Sequence, residues 1–446
     1  MPEFDLVVTG GVVVTRAGAS RVDIGIAGGR IAALAGDLAG AAPAIDATGL
    51  HVLPGAIDAH VHLNAPGRSD WEGVAHGTAA LAVGGTTTAL EMPLNASPPT
   101  TDRVALQAKL DAWRGVASVD FALWGGVVPG NAGALNDLAR GGVIGFKAFM
   151  CDSGICDFPA VDDAALRTAM LVAAEHDLVV AIHAEDAAII AAGQSYLEQR
   201  SLSTAADYLA SRPAAAELEA VRRALHLAGE TGCAIHLVHL STGRAVALVA
   251  QARRQGVDAS CETCPHYLAF CEEDVQQIGT AAKCAPPIRD QADRESLWVA
   301  LSSGEIDMVA SDHSPAPAMR KRGDFRTAWG GIAGGQTLLA TLLSDGHHRR
   351  GLPLVRVADL SASTVSRRFG LSGKGAIDVG ADADLALVDL TAEWTVRGAD
   401  LRSRHATSPF IGRKLRGRIV RTLLRGVTIA RNGIVVATGR GRLLHR

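Results

Sequence analysis

"AIDAHVHL", residues 56–63, is an apolar run that carries two histidines two places apart, and "NAPG" (64–67) follows it directly. Side chains at i and i+2 of a strand point to one face, so His60 and His62 are neighbours. Seven further runs repeat the pattern of a short apolar segment: "TTTALEMP" (86–93), "VDFALWGG" (119–126), "VIGFKAFM" (143–150), "LVVAIHAE" (178–185), "AIHLVHLS" (234–241), "VDASCETC" (257–264) and "IDMVASDH" (306–313). Between them lie segments such as "DRVALQAKLDAWRGV" and "PAAAELEAVRRALHLAGETG", whose apolar residues recur at three- and four-residue steps and which glycine often closes. Continuous apolar strands alternating with amphipathic helices predict a parallel sheet covered on both faces. Eight such units predict an α/β fold, a closed (β/α)8 TIM barrel. An open doubly wound sheet would need a Gly-rich phosphate loop after an early strand, and none is present.

The two ends read differently. "FDLVVTGGVVVT", "VDIGIAGGRIAAL" and "GLHVLPG", like "ADLALVDL" and "GRIVRTLLRGVTIARNGIVVA" near the other end, are short strands set off by Gly turns. Neither end is long enough for its own core. The expectation is one small β-sandwich built from residues 1–53 and 376–446 beside a barrel of residues 54–375.

Composition sets the outer bounds. The 446 residues are 48% hydrophobic, 20% charged and 4% aromatic, with 49 glycines and a formal net charge of −3. That balance offers no field for nucleic acid or an anionic membrane. The opening lacks the basic n-region and cleavage site of a signal peptide, and no apolar stretch is long enough to span a bilayer. A soluble cytoplasmic protein without nucleic-acid or membrane partners is expected. The seven cysteines do not form a disulfide framework, and Cys261 and Cys264 lack the second pair of a four-thiolate zinc site. The basic runs 319–326 and "GRGRLLHR" (439–446) read as a solvated loop and tail, the loop also being placed to serve as a lid.

The C-terminal ends of barrel strands are where such folds build their active sites. His60 and His62 there suit a borderline cation such as zinc, and other strand ends supply more candidates: Lys147, His183, His239 and Asp312. Three-residue spacing assigns His236 to the opposite face from His239, the layer between barrel and helices, and His313 points away from Asp312. Lys147 admits three readings: a Schiff-base nucleophile, a paired or snorkelling lysine, or a neutral amine that captures CO2 as a carbamate and so bridges two metal ions. The last suits its neighbours best.

On the motifs "DAHVHLNAPG", "GFKAFM", "AIHAED", "VHLST", "CETCPHYL" and "ASDHSP", the chain resembles the cyclic amidohydrolases, a group of dihydroorotases, hydantoinases (dihydropyrimidinases) and allantoinases. The resemblance covers nearly the whole chain, including the split β-domain. It implies two divalent metal ions, usually zinc, held by His60, His62, carboxylated Lys147, His183, His239 and Asp312, although N/O ligands also accept manganese, cobalt or iron. It implies that a hydroxide bridging the metals opens a ring amide, Asp312 being both ligand and general base. It further implies a homotetramer. Relatives that serve only as assembly modules have lost ligands, and mononuclear deaminases lack the lysine; this chain retains all six.

Asn64 stands where dihydroorotases carry a carboxylate-binding arginine, and Asp152 where hydantoinases carry a tyrosine. The segments 62–73, 91–100, 145–159, 311–317 and 329–336 are most similar to the allantoinase subfamily, whose substrate is a hydantoin bearing a ureido arm. By position Asn64, Asn95, Ser153 and the backbone around Cys284 and Ser314 are candidates to hold that ring and arm, with Asp152 facing a polar substituent. His266 in "CPHYL" is a further candidate beside the ligands.

Overall fold

The computed structural model describes every residue except 1, 2, 39 and 41. All eight apolar runs form strands, labelled here in barrel order: β1 Ala56–Val61, β2 Thr86–Glu91, β3 Asp120–Leu123 (resumed at Gly125–Gly126), β4 Gly145–Phe149, β5 Val179–His183, β6 Ile235–Leu237, β7 Ala259–Thr263 and β8 Met308–Val309. Neighbours pair in parallel from β1 to β8. The barrel closes where Val61 bridges His313, and His62 N–H donates to the His313 carbonyl at 2.7 Å.

Helices follow the strands as the periodicity predicts. Arg103–Trp113 starts where the Asp102 carboxylate accepts the Ala105 N–H, and Asp162 and Asp290 cap Asp163–Glu175 and Gln291–Ser303 in the same way. Ala214–Thr231 ends at Gly232, whose φ of 67° suits a residue without a Cβ.

The strands of the two ends build a β-sandwich. One sheet has four strands from the first 46 residues; the other has seven, and joins Val12–Thr15 and His51–Pro54 to Leu385–Thr395 and Lys414–Leu424. Val8, Ile24, Ile26 and Ile45 from the first sheet pack on Val13, Val52, Leu385 and Leu387 from the second, a dry core between the two.

The chain departs from the expected solvated tail. Arg442 N–H donates to Asp120 at the start of β3, Leu443 bridges Phe121, and Leu444 packs on the core formed by Trp124, Phe369 and Leu371 under the barrel. The adjacent Leu443 and Leu444, packed on two different core clusters, let this basic segment add to the barrel floor. The basic run 319–326 is also not simply solvated: Lys321 is buried, and its ammonium donates to the carbonyls of Thr280 and Lys283. No helix among the described residues is long and apolar enough to cross a membrane.

Candidate metal centre

His60 and His62 leave the end of β1 with Nε2 atoms 3.2 Å apart. Each ring has its other nitrogen engaged. Nδ1 of His60 donates to Glu262 Oε1 at 2.6 Å, and Nδ1 of His62 to the Leu94 carbonyl at 3.4 Å. A carboxylate and a carbonyl only accept, so both protons sit on Nδ1 and both Nε2 atoms present lone pairs. Asp312 Oδ1 lies 3.4 Å from each Nε2. Three acceptors thus converge with no donor among them, an arrangement that a cation completes.

The second half stands across from it. His183 Nε2 donates to Glu185 Oε2 at 2.9 Å, which turns Nδ1 toward His239 Nε2, 3.0 Å away. Two residues reach the centre through unusual backbone: His239 has φ 40° and Asp312 φ 44°. Such left-handed geometry in non-glycine residues costs about 1–3 kcal/mol and persists where surroundings over-determine it.

Lys147, between the two halves on β4, is fully buried, and its Nζ has no hydrogen-bond partner among the described residues. Burial pushes the amine down to about 7, with Glu262 and Asp312 pulling it partly back. An uncharged amine among ligands is the form that adds CO2. Burial likewise lowers His60 to about 4 and His239 well below the imidazole range, and His183 in the same direction, so these rings are neutral donors of lone pairs. Burial alone would raise the Asp312 carboxyl, but a second proton taken up by the His60 or His62 ring holds it well below its usual range. The donor set fits a pair of divalent cations.

Behind each half sits a buried carboxylate that sequence reasoning missed. Glu262 accepts from His60 and, through Oε2, from His236 Nε2 at 3.0 Å. Glu185 is gripped by Arg212, whose Nε donates to Oε1 at 3.2 Å and whose Nη2 donates to Oε2. The signal was present: an acidic residue inside the run "ASCET" and one two places past His183. Burial pushes both carboxyls up, yet their cationic and imidazole partners bring each to about 2.

His236 is therefore not in the layer between barrel and helices. It points inward, onto Glu262 and the Phe369 ring. The positive φ of His239 breaks strand alternation, so three-residue spacing no longer separates the faces. His313 does lie outside the ligand group, bonded to Glu72 and the Gly335 N–H. His266 is buried with both ring nitrogens unpartnered among the described residues. All seven cysteines are free thiols.

A cavity of about 470 Å³ opens above the centre. His60, His62, His183, His239 and Asp312 line its floor, and Asn95, Ser153, Ser314 and Asp152 line its walls. Asn64 and Cys284 are not brought to it. The Asn64 amide turns to the Pro315 carbonyl at 3.3 Å, and the Cys284 carbonyl is taken by the Tyr208 hydroxyl at 3.0 Å; the neighbours Lys283 and Ala285 reach the wall instead. Phe325, Arg326 and Trp329, in and beyond the basic run, complete the mouth.

The model of the amidohydrolase family matches residues 51–429, the barrel and most of the second sheet. This chain belongs to that family. Among curated relatives, the amidohydrolase is 55% identical to an allantoinase of Rubrobacter xylanophilus, over 100% of this chain and 98% of that one. It is 49% identical to an allantoinase of Deinococcus radiodurans, over 99% of this chain and 98% of the other. Among solved structures it superposes on an L-hydantoinase (dihydropyrimidinase) from Arthrobacter aurescens with a TM-score of 0.96 and 35% identity, covering 99% of this chain and 100% of that one. A dihydropyrimidinase from Brevibacillus agri gives 0.92 and 29%, covering 98% and 97%.

Proposed function

We propose that this amidohydrolase opens the ring of allantoin to give allantoate. The observation that carries the reading is the pair of ligand groups, His60/His62/Asp312 and His183/His239, on the floor of a cavity with polar residues at its mouth. Full-length relatives called allantoinases support the choice of ring. In this reading residues 54–375 carry the chemistry, and the sandwich of residues 1–53 and 376–446 supports β1 from below.

His60, His62, His183, His239, Asp312 and a carboxylated Lys147 would hold two divalent cations, zinc in first place, with manganese, cobalt and iron also suited to these ligands. Bound there, such ions polarise an amide carbonyl and make water acidic enough to ionise near neutral pH. The protein's own part is proton transfer and placement. Asp312, ionised and at the cavity floor, accepts the proton of the attacking water and delivers it to the ring nitrogen as the C–N bond breaks. A carboxylate and an N-carbamoyl group result. Glu262 and Glu185 keep His60 and His183 in the correct tautomer throughout. Phe149, stacked on His183 at 4.4 Å, and Leu94 shield the floor from bulk water.

The apolar wall of Leu94, Phe149, Leu197 and Phe325 favours a second reading, hydrolysis of 5-substituted hydantoins or dihydropyrimidines. Side-by-side kcat/KM for allantoin, 5-substituted hydantoins, dihydrouracil and dihydroorotate decides between them, and the first reading requires allantoin to lead. A cytoplasmic homotetramer accompanies the proposal. The free thiols suit a reducing compartment, and Ile434 and Val436 leave apolar side chains exposed beside a sheet edge. Sedimentation velocity tests the assembly.

A further inference from the structure

The cavity mouth contains polar groups that the hydrolytic step does not use. Arg212 is 6% exposed and lines the cavity. Its Nε and Nη2 are committed to Glu185, and Nη2 also reaches Cys151 Sγ, which leaves Nη1 without an acceptor among the described residues. Gln194 and Glu198 lie one turn apart on the helix Ala187–Gln199, so they share a face, and both line the same cavity. Neither side chain has a hydrogen bond or ion pair within the described chain, although the cationic Arg326 lines the mouth as well. In the loop after β4, Asp152 lines the same cavity and offers an exposed carboxylate with one oxygen on the Gly154 N–H and the other unengaged among the described residues.

The set is one free donor on a nearly buried guanidinium together with acceptors on the exposed Glu198 and Asp152, all lining one cavity. A urea is the inverse: one carbonyl acceptor flanked by N–H donors. We infer that Arg212, Glu198 and Asp152 form a subsite that reads an exocyclic urea on the substrate ring, the guanidinium Nη1 taking the urea oxygen and the two carboxylates taking its N–H groups. Gln194, able both to donate and to accept, tolerates either orientation of the arm. Buried polar groups arranged for a partner discriminate strongly against analogues that lack it, because those groups are then left unpaired. An apolar 5-substituent would strand the Arg212 donor in this way. The inference rests on the proposed ring-opening reading and goes further, because it assigns the preference among rings to residues outside the metal ligands.

The test uses the metal-loaded full chain and three substrates that share the ring: allantoin, unsubstituted hydantoin and 5-ethylhydantoin. The variants are Glu198→Gln and Asp152→Asn, which keep shape and remove charge, and Arg212→Lys, which keeps charge and removes the fork. Glu198→Gln and Asp152→Asn are each expected to lower kcat/KM for allantoin about 10-fold through KM, with hydantoin within about 2-fold, because hydrogen bonds to charged groups carry that order of energy. Arg212→Lys, read per bound metal because the fork also holds Glu185 behind His183, is expected to lower kcat/KM for allantoin more than for hydantoin. If the parent prefers allantoin and all three variants keep its allantoin-to-hydantoin ratio, the subsite is overturned and the ring-opening reading stands. If the parent opens hydantoin and 5-ethylhydantoin but not allantoin, the choice of allantoin fails first and the subsite with it.

Discussion

Oε1 of Glu262 lies 2.6 Å from Nδ1 of His60, both side chains fully buried, so a carboxylate from β7 sets the proton position on a ligand from β1. Glu262→Gln keeps the volume and removes the charge behind that ring. Metal affinity is expected to fall about 10–100-fold, the usual cost of losing such a partner. Competition with a chromophoric chelator measures it, and unchanged affinity would free His60 from this dependence.

The same carboxylate makes the metal-free protein acid-sensitive. Glu262 and Glu185 are each held at about 2 in the folded chain, against an ordinary value of 4.5. Their folded values are depressed, so their contribution is fully present above about pH 4.5 and is lost as pH falls toward 2. The urea midpoint of metal-free protein should drop across that window, with a shallower drop in Glu262→Gln.

Lys147 gives a pH dependence of the same sense in a higher window. Its amine is pushed down to about 7, so the neutral, CO2-reactive form gains population as pH rises through 7 rather than through the ordinary 10.5. Metal-free protein given 13C-bicarbonate should develop a carbamate resonance that grows across that range. Lys147→Ala should show no such resonance and should lose most bound metal. A variant with normal metal content removes the carbamate from the site.

Asp312→Asn tests proton transfer. The amide cannot accept the proton, so kcat for ring opening should fall about 10²–10⁴-fold, the range of general acid–base catalysis. Thermal unfolding should stay close to that of the parent. Turnover within a few-fold of the parent would move the general base elsewhere.

Far from the cavity, Lys374 donates to Asp120 at 2.6 Å and to Asp384 at 2.7 Å, and pairs with Asp382 at 2.9 Å. Lys374→Met leaves these carboxylates facing each other, and a broken buried pair costs about 3–5 kcal/mol. Burial already raises the Asp384 carboxyl, so acidification neutralises it readily. The deficit in chemical denaturation should shrink between pH 7 and pH 5.

The barrel and the strand-end side chains that face its cavity were legible because both depend on local order. Apolar runs at strand length, helix-period spacers and side chains at strand ends are read residue by residue, and all eight runs formed strands. The charged pairs behind the ligands were not. Glu262 meets His60 from a distant strand, a contact that closure of the barrel creates, while Arg212 and Lys109 reach back from the segments after β5 and β2 to Glu185 and Glu91, contacts that apolar periodicity does not specify. His236 was misplaced for a different reason: strand alternation assumes regular backbone, and His239 departs from it. Asn64 turns its amide N–H to the Pro315 carbonyl, and the Cys284 carbonyl is taken by Tyr208, so neither reaches the cavity wall.

The edge of Leu53 pairs with Ala386, and this short strand runs through Gly55 directly into β1 and His60. During synthesis the sandwich half that emerges first therefore waits, one edge unpaired, until residues 385–388 have left the ribosome. The barrel made in between must hold its own shape over that interval. A chain halted between them would carry every candidate metal ligand and still expose a hydrophobic strand edge suited to pairing with another chain. Chaperone demand for this amidohydrolase is thus set by the order in which its chain is made as well as by the stability of its finished fold.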